Sequence, residues 1–174
     1  MRQSATEDRE RFSGLFEANY AHVRAFAARR VGGDLADEVT AETFLVAWQR
    51  LDVVSAEPLP WLYGVARNVI LRQLSASAKQ AKARELIARE RLGPALEDDV
   101  EHDALWRAWE QLGDGDREVL SLIVWEELPV RDAARVLGVP ASVFSVRLHR
   151  ARRRLERHLV QIPTPAITAT TEAT

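Results

Sequence analysis

"VRDAARVLGVPASVFSVRLHRARRRL", Val130 to Leu155, holds a tight turn between two helical patterns, and its reading decides the fold. Ala133 and Ala134 are small where two helices must approach closely. Gly138 suits the left-handed conformation that ends a helix, because it has no Cβ to clash there. Val139 is placed to tuck under the turn, and Pro140 to open the next helix. That helix repeats Phe144, Leu148, Ala151 and Leu155 at steps of four, three and four, which predicts a buried stripe. Ser142, Ser145, Val146, His149, Arg150 and Arg153 are left on the outer side.

This is the grammar of a helix-turn-helix, and its charge fits. From Val130 to Leu159, Arg131, Arg135, Arg147, Arg150, Arg152, Arg153, Arg154 and Arg157 stand against Asp132 and Glu156, a net +6. The whole chain carries −2, so the remainder carries −8. An isolated arginine run is more often a solvated helix face. The turn pattern directly before this one favours a recognition helix, whose arginines bind phosphate or guanine in the major groove.

The rest of the chain reads as helical. Its 174 residues are 47% apolar and 29% charged, ordinary values for a soluble globular protein. Phe12, Leu15, Phe16, Tyr20, Val23 and Phe26 make the stripe of a first helix. "RRVGGDLADEV" breaks it, with Asp34 expected to cap a second helix running to about Leu51. Pro58 and Pro60 suit the start of a third, from about Trp61 to Leu74 or beyond. The run from Ser75 to Leu92 reads as an extension of that helix or as a helical linker. "GPALEDDVEHD" ends the pattern, and a second helical block begins near Ala104, with Asp114 or Asp116 expected to cap a helix after "GDGD". The expected organisation is all-α, with a first module over 8–78, a linker over 79–102, a helix-turn-helix module over 103–160 and a disordered tail over 161–174.

Several function classes drop out. Cysteine is absent, which excludes disulfides and cysteine-ligated zinc. No apolar run reaches the length of a membrane span, and "MRQSATEDRERF" lacks the apolar core of a signal peptide. A cytoplasmic protein without membrane insertion is expected. His22, His102, His149 and His158 are scattered, and no nucleophile–base pairing stands out. No catalysis, metal or cofactor is expected.

"DREVLSLIVWEELPVRDAARVLGVPASVFSVRLHRARRRL" resembles the fourth region of bacterial RNA polymerase sigma factors of the extracytoplasmic-function (ECF) type. "ADEVTAETFLVAWQRL" followed by "PWLYGVARNVI" resembles their second region. The resemblance covers roughly Arg11 to Leu159, with the two motifs in the family's order. It implies a first module that binds the clamp of the polymerase largest subunit and melts the −10 promoter element. It implies a second module that reads the −35 element as duplex and contacts the polymerase flap. An anti-sigma partner is implied by the family alone.

Carried onto this chain, the resemblance gives Asp37, Glu38 and Glu42 as the acidic edge facing polymerase. Trp61, Arg67, Asn68 and Arg72 fall beside the unpaired −10 bases, where a side-chain amide can read a flipped base edge. Ser145, Val146, His149, Arg150, Arg153 and Arg154 fall at the −35 element. Phe44, Trp48 and Trp61 read as core. The chain departs from the family's Gly-Thr-Val-Arg/Lys-Ser run, having Ser142, Val143, Phe144, Ser145 and Val146. After "ARN" it has Arg72 and Ser75 where the family often carries an acid and an arginine. Two other readings stay open: a stand-alone helix-turn-helix regulator, and a sigma-like decoy that holds polymerase without opening DNA.

Overall fold

The computed structural model describes the backbone of residues 2–81 and 100–161, and the side chains of 6–75 and 104–161. Most of the expected linker and nearly all of the expected tail lie outside the described residues. The elements are α1 (Arg2–Val31), α2 (Gly33–Gln49), a 3₁₀ turn (Leu51–Val53), α3 (Leu59–Ala81), α4 (Val100–Glu110), α5 (Asp114–Val124), α6 (Val130–Leu137) and α7 (Ala141–Gln161).

In the first module α1, α2 and α3 pack on one another around Val23, Phe26, Ala27, Val39, Phe44, Leu62, Ala66 and Val69. An aromatic group extends that core along α1. Phe16 meets Phe44 edge-on with ring centroids 4.8 Å apart, and Phe26 stacks on Tyr63 at 4.5 Å. Such pairs add about 0.5–1.5 kcal/mol to their area burial. Thr40 and Thr43 are fully buried on α2, and their hydroxyls donate to the carbonyls of Ala36 (2.6 Å) and Val39 (2.7 Å). Each hydroxyl is thus satisfied within its own helix.

The α1–α2 corner departs from the sequence expectation. Gly32, at φ 80°, ends α1 and is itself the N-cap of α2, so Asp34 lies inside the first turn and caps nothing. Gly113 likewise takes the N-cap of α5, leaving Asp114 and Asp116 in its first turn. Pro58 does open α3, its carbonyl accepting the Leu62 N–H at 2.9 Å. α3 continues to Ala81, so the start of the ambiguous run is a helix extension.

In the second module α7 packs against α4, α5 and α6. Gly138 takes φ 64°, ψ 33°; its N–H bonds the Arg135 carbonyl and the Val139 N–H bonds that of Ala134. These two bonds form a Schellman motif, which satisfies the carbonyls that the end of α6 would leave open. Phe144, Leu148 and Ala151 are buried and Leu155 packs beside them, as the spacing predicts.

The two modules do not sit apart. α3 lies against α6, and the buried residues of both modules form one contiguous cluster. Gly64 faces the Val136 backbone, where an added Cβ would lie 3.8 Å from the carbonyl oxygen.

Candidate nucleic-acid interface

The outer face of α7 follows from its inner one. With Phe144, Leu148 and Ala151 held inside, Ser142, Ser145, Val146, His149, Arg150 and Arg153 are all exposed. The Ser145 hydroxyl donates to the Ala141 carbonyl at 2.9 Å, within its own helix. Among the described residues no acid pairs with Arg147, Arg150, Arg152 or Arg153. Arg154 differs: it donates to both carboxylate oxygens of Asp116 on α5, at 2.8 and 2.5 Å. Its guanidinium is turned onto its own module.

Trp61, Arg67, Asn68 and Arg72, one helical face of α3, line a single cleft of about 660 Å³. Val46 and Arg50 at the end of α2 line it too, and Arg135, Val136, Leu137 and Gly138 form its opposite wall. Asn68 is exposed, while Trp61 is half-buried against the core. Arg67 donates to both oxygens of Glu118 on α5, at 2.6 and 3.1 Å, so it bridges the modules. Arg72 pairs with Glu42 of α2. Arg135 pairs with Asp132 within α6 at 3.3 Å. The cleft therefore collects basic groups, three of which already hold carboxylates of this chain.

The acidic edge of α2 is similarly engaged. Asp37 accepts from Arg24 of α1 at 2.6 Å, and this contact raises the pKa of the arginine above its ordinary value. Glu42 holds Arg72, which leaves Glu38 as the member with no ion pair among the described residues. Trp48, expected in the core, is 43% exposed, with its ring edge against Phe12. Leu45 is 55% exposed on the same helix. Glu38, Leu45 and Trp48 follow one another at steps of seven and three, which places an apolar strip beside the free carboxylate. The four-residue Phe44–Trp48 spacing predicts one buried stripe, of which only Phe44 is buried.

Where the modules meet, the structure places residues that no motif singled out. Glu126, on the α5–α6 corner, has a side chain only 1% exposed. It accepts from Arg30 at 2.9 Å and pairs with Arg29, both at the end of α1. The Arg30 guanidinium lies 3.5 Å over the Phe26 ring, and burial lowers its pKa against the opposing pull of Glu126. Tyr63 is pushed up to about 12, by burial first and by the Glu126 charge second. Pairs separated by about a hundred positions leave no local signal, which is why sequence reasoning missed them.

Comparison with known proteins accords with this arrangement. Residues 15–80 match the family model "Sigma-70 region 2" and residues 102–155 match "Sigma-70, region 4". The chain is 28% identical over 160 residues to the ECF RNA polymerase sigma factor SigL of Mycobacterium tuberculosis, covering 85% of this chain and 88% of SigL. It is 27% identical over 169 residues to the RNA polymerase sigma factor NccH of Alcaligenes xylosoxydans xylosoxydans, covering 88% and 89%. Among solved structures, the sigma factor RpoE in complex with the anti-sigma factor NepR, from Bartonella quintana, aligns with a TM-score of 0.67 at 23% identity, over 87% of this chain and 98% of that one. CnrH, solved with the cytosolic domain of CnrY, aligns with a TM-score of 0.59 at 23% identity, over 91% and 94%. With both modules matched in order along one helical fold, the chain belongs to the RNA polymerase sigma factors, as a member of the ECF type.

Proposed function

We propose that this sigma factor divides its work between the two modules, over about 8–78 and 103–160, with the intervening residues as a linker between them. The exposed basic face of α7 carries the reading, because the buried Phe144–Leu148–Ala151 stripe holds that face in one register. α7 enters the major groove of the −35 element, where Val146, His149 and Arg150 approach base edges and Arg153 approaches phosphate. Ser145 lies at the rim of that contact. Arg154 acts on the phosphate backbone only after leaving Asp116.

The α3 cleft takes the unpaired −10 strand. Trp61 supplies a stacking surface, Asn68 a hydrogen-bonding edge, and Arg67 and Arg72 the countercharge. α2 docks on the polymerase clamp through Glu38, with Asp37 and Glu42 beside it, and through the apolar strip of Leu45 and Trp48. Chemistry stays with the polymerase; this chain acts as its specificity subunit, in the cytoplasm. An anti-sigma protein is proposed as a further partner, since RpoE was solved bound to one. Among the described residues no helix is long and apolar enough to cross a membrane.

Run-off transcription with purified core polymerase tests the reading. Promoter-dependent transcripts support it, and association without transcription favours the decoy. Tight sequence-specific duplex binding without polymerase at physiological salt favours a stand-alone regulator. Glu38→Lys with Trp48→Ala is expected to weaken core association while the chain stays helical, and unchanged association removes α2 from the interface.

A further inference from the structure

The two halves of α7 present different chemistry on the outside. Every arginine of the helix lies at Arg147 or beyond it, and none stands between Ala141 and Val146. The first half instead exposes two valines: Val143 is 39% exposed and Val146 50%. They stand three positions apart and are therefore neighbours on the helix surface. Arg150 and Arg153 follow Val146 at steps of four and three, so one outer line of the helix runs from valine to arginine.

Neither valine belongs to the core cluster. Nor does an exposed valine favour the helix, because the preceding turn restricts its χ1. That restriction has a use at a binding surface. In a helix valine holds mostly one rotamer, so its two methyl groups are fixed before anything binds. The Ser145 hydroxyl beside them is engaged within the helix, donating to the Ala141 carbonyl at 2.9 Å.

The major groove offers such a pair one matching target. Guanine presents acceptors there, cytosine a donor and adenine one of each, while thymine alone adds a methyl group. The N-terminal residues of a recognition helix are those that meet base edges. Apolar side chains at that end match the methyl and would leave the polar edge of a G·C pair unpaired, at a cost.

We propose that Val146, with Val143 beside it, selects a thymine in the −35 element by closing on its C5 methyl group. The inference rests on the −35 reading proposed above and adds the base chemistry to it. Arg147 and Arg153 supply the phosphate contacts that hold the valines against the base edge.

The test uses the full chain with purified core polymerase. Duplexes randomised over the promoter region are selected by run-off transcription, and the enriched −35 element is expected to contain a thymine at a fixed position. Deoxyuridine is then scanned through each thymine of that element, which removes one methyl and keeps every hydrogen-bonding group. At one position holoenzyme binding should weaken about fourfold, the worth of burying one such group. Replacing that T·A pair by C·G should weaken binding further, and 5-methylcytosine there should recover about fourfold. A chain carrying Val143→Ala and Val146→Ala should bind the thymidine and deoxyuridine duplexes equally. Alanine favours an exposed helix site more than valine does, so this variant stays folded. An enriched element without thymine overturns the proposal, as does equal binding of the two duplexes by the unsubstituted chain. A methyl dependence that persists in the double variant overturns the assignment to the valines. Transcripts with no enrichment at −35, or no transcripts, overturn the −35 reading itself, whereas an enriched element indifferent to the methyl overturns this inference alone.

Discussion

The arginines of α3 and those of α7 look alike in sequence and differ in the folded chain. Arg67 and Arg72 each hold a carboxylate, from Glu118 and Glu42, across to another helix. Arg147, Arg150, Arg152 and Arg153 hold none among the described residues. The contrast follows from what each helix packs against. α3 has α2 on one side and the second module on the other, so its cations find carboxylates within reach. α7 lies on its module with one apolar stripe, and the residues on its other side are exposed. Positive charge on a helix is therefore free for a partner only where no carboxylate of the same chain reaches it.

That contrast depends on the register of α7, and Phe144→Ala is the substitution that breaks it. The ring is fully buried, and its removal should cost about 3–5 kcal/mol. In a protein of this size much of the second module's stability is at stake. Denaturant unfolding is expected to show loss of that size, together with loss of −35 selectivity. Retained selectivity at lowered stability would mean that the outer face does not need this anchor.

The sequence displayed α7 well because everything that sets its register is local: two alanines, one glycine turn and a stripe at helical spacing. Gly138 in the left-handed region and Val139 bonding back to Ala134 were legible for the same reason. Trp48 was misplaced because spacing gives a helix face without saying whether a neighbour covers it; the indole meets Phe12 and is still 43% exposed. Asp34 failed as a cap because Gly32 reached the position first. The docking of the modules was illegible altogether, since Glu126 meets Arg29 and Arg30 across nearly the whole fold.

Tyr63 sharpens the comparison from the buried side. Its phenol is pushed up to about 12 from an ordinary value near 10, so the folded state holds this proton more tightly than the unfolded one. The stabilisation is fully present below about pH 10 and is lost as pH rises toward about 12, on the order of 2–3 kcal/mol. Tyr63→Phe is expected to flatten that part of the alkaline stability profile, monitored by unfolding at successive pH values. An identical slope in the variant would show that Tyr63 is not enclosed beside Glu126.

Arg150 and Arg154 test the comparison within α7 itself. Arg150→Ala should cost about 1–3 kcal/mol on the preferred promoter and relax the choice at one base pair. Arg154→Ala removes an exposed pair with Asp116, worth about 0–1 kcal/mol of stability, and should weaken every promoter variant by a similar factor. Holoenzyme binding across a set of −35 variants separates the two. Equal losses on every variant for Arg150→Ala would mean that it reads no base.

The smallest expected effect compares two adjacent glutamates. Glu126 is buried between arginines, while Glu127 is exposed and held at φ 52°, the one non-glycine residue with positive φ among those described. A residue with a Cβ is strained there by about 1–2 kcal/mol. The strain is tolerated because the corner must turn sharply for the Leu128 N–H to reach the Leu122 carbonyl at 3.1 Å and for Glu126 to point inward. Glycine would relieve the strain but adds freedom to the unfolded chain, which takes back about 0.4–1 kcal/mol. Glu127→Gly should therefore stabilise by about 0.5–1 kcal/mol, a rise of about 1–3 °C in Tm. Promoter selectivity should not change, since the side chain touches neither α7 nor the α3 cleft. A fall in Tm would show that Glu127 contributes a surface interaction larger than its backbone strain, and that the corner is held by both glutamates rather than by Glu126 alone.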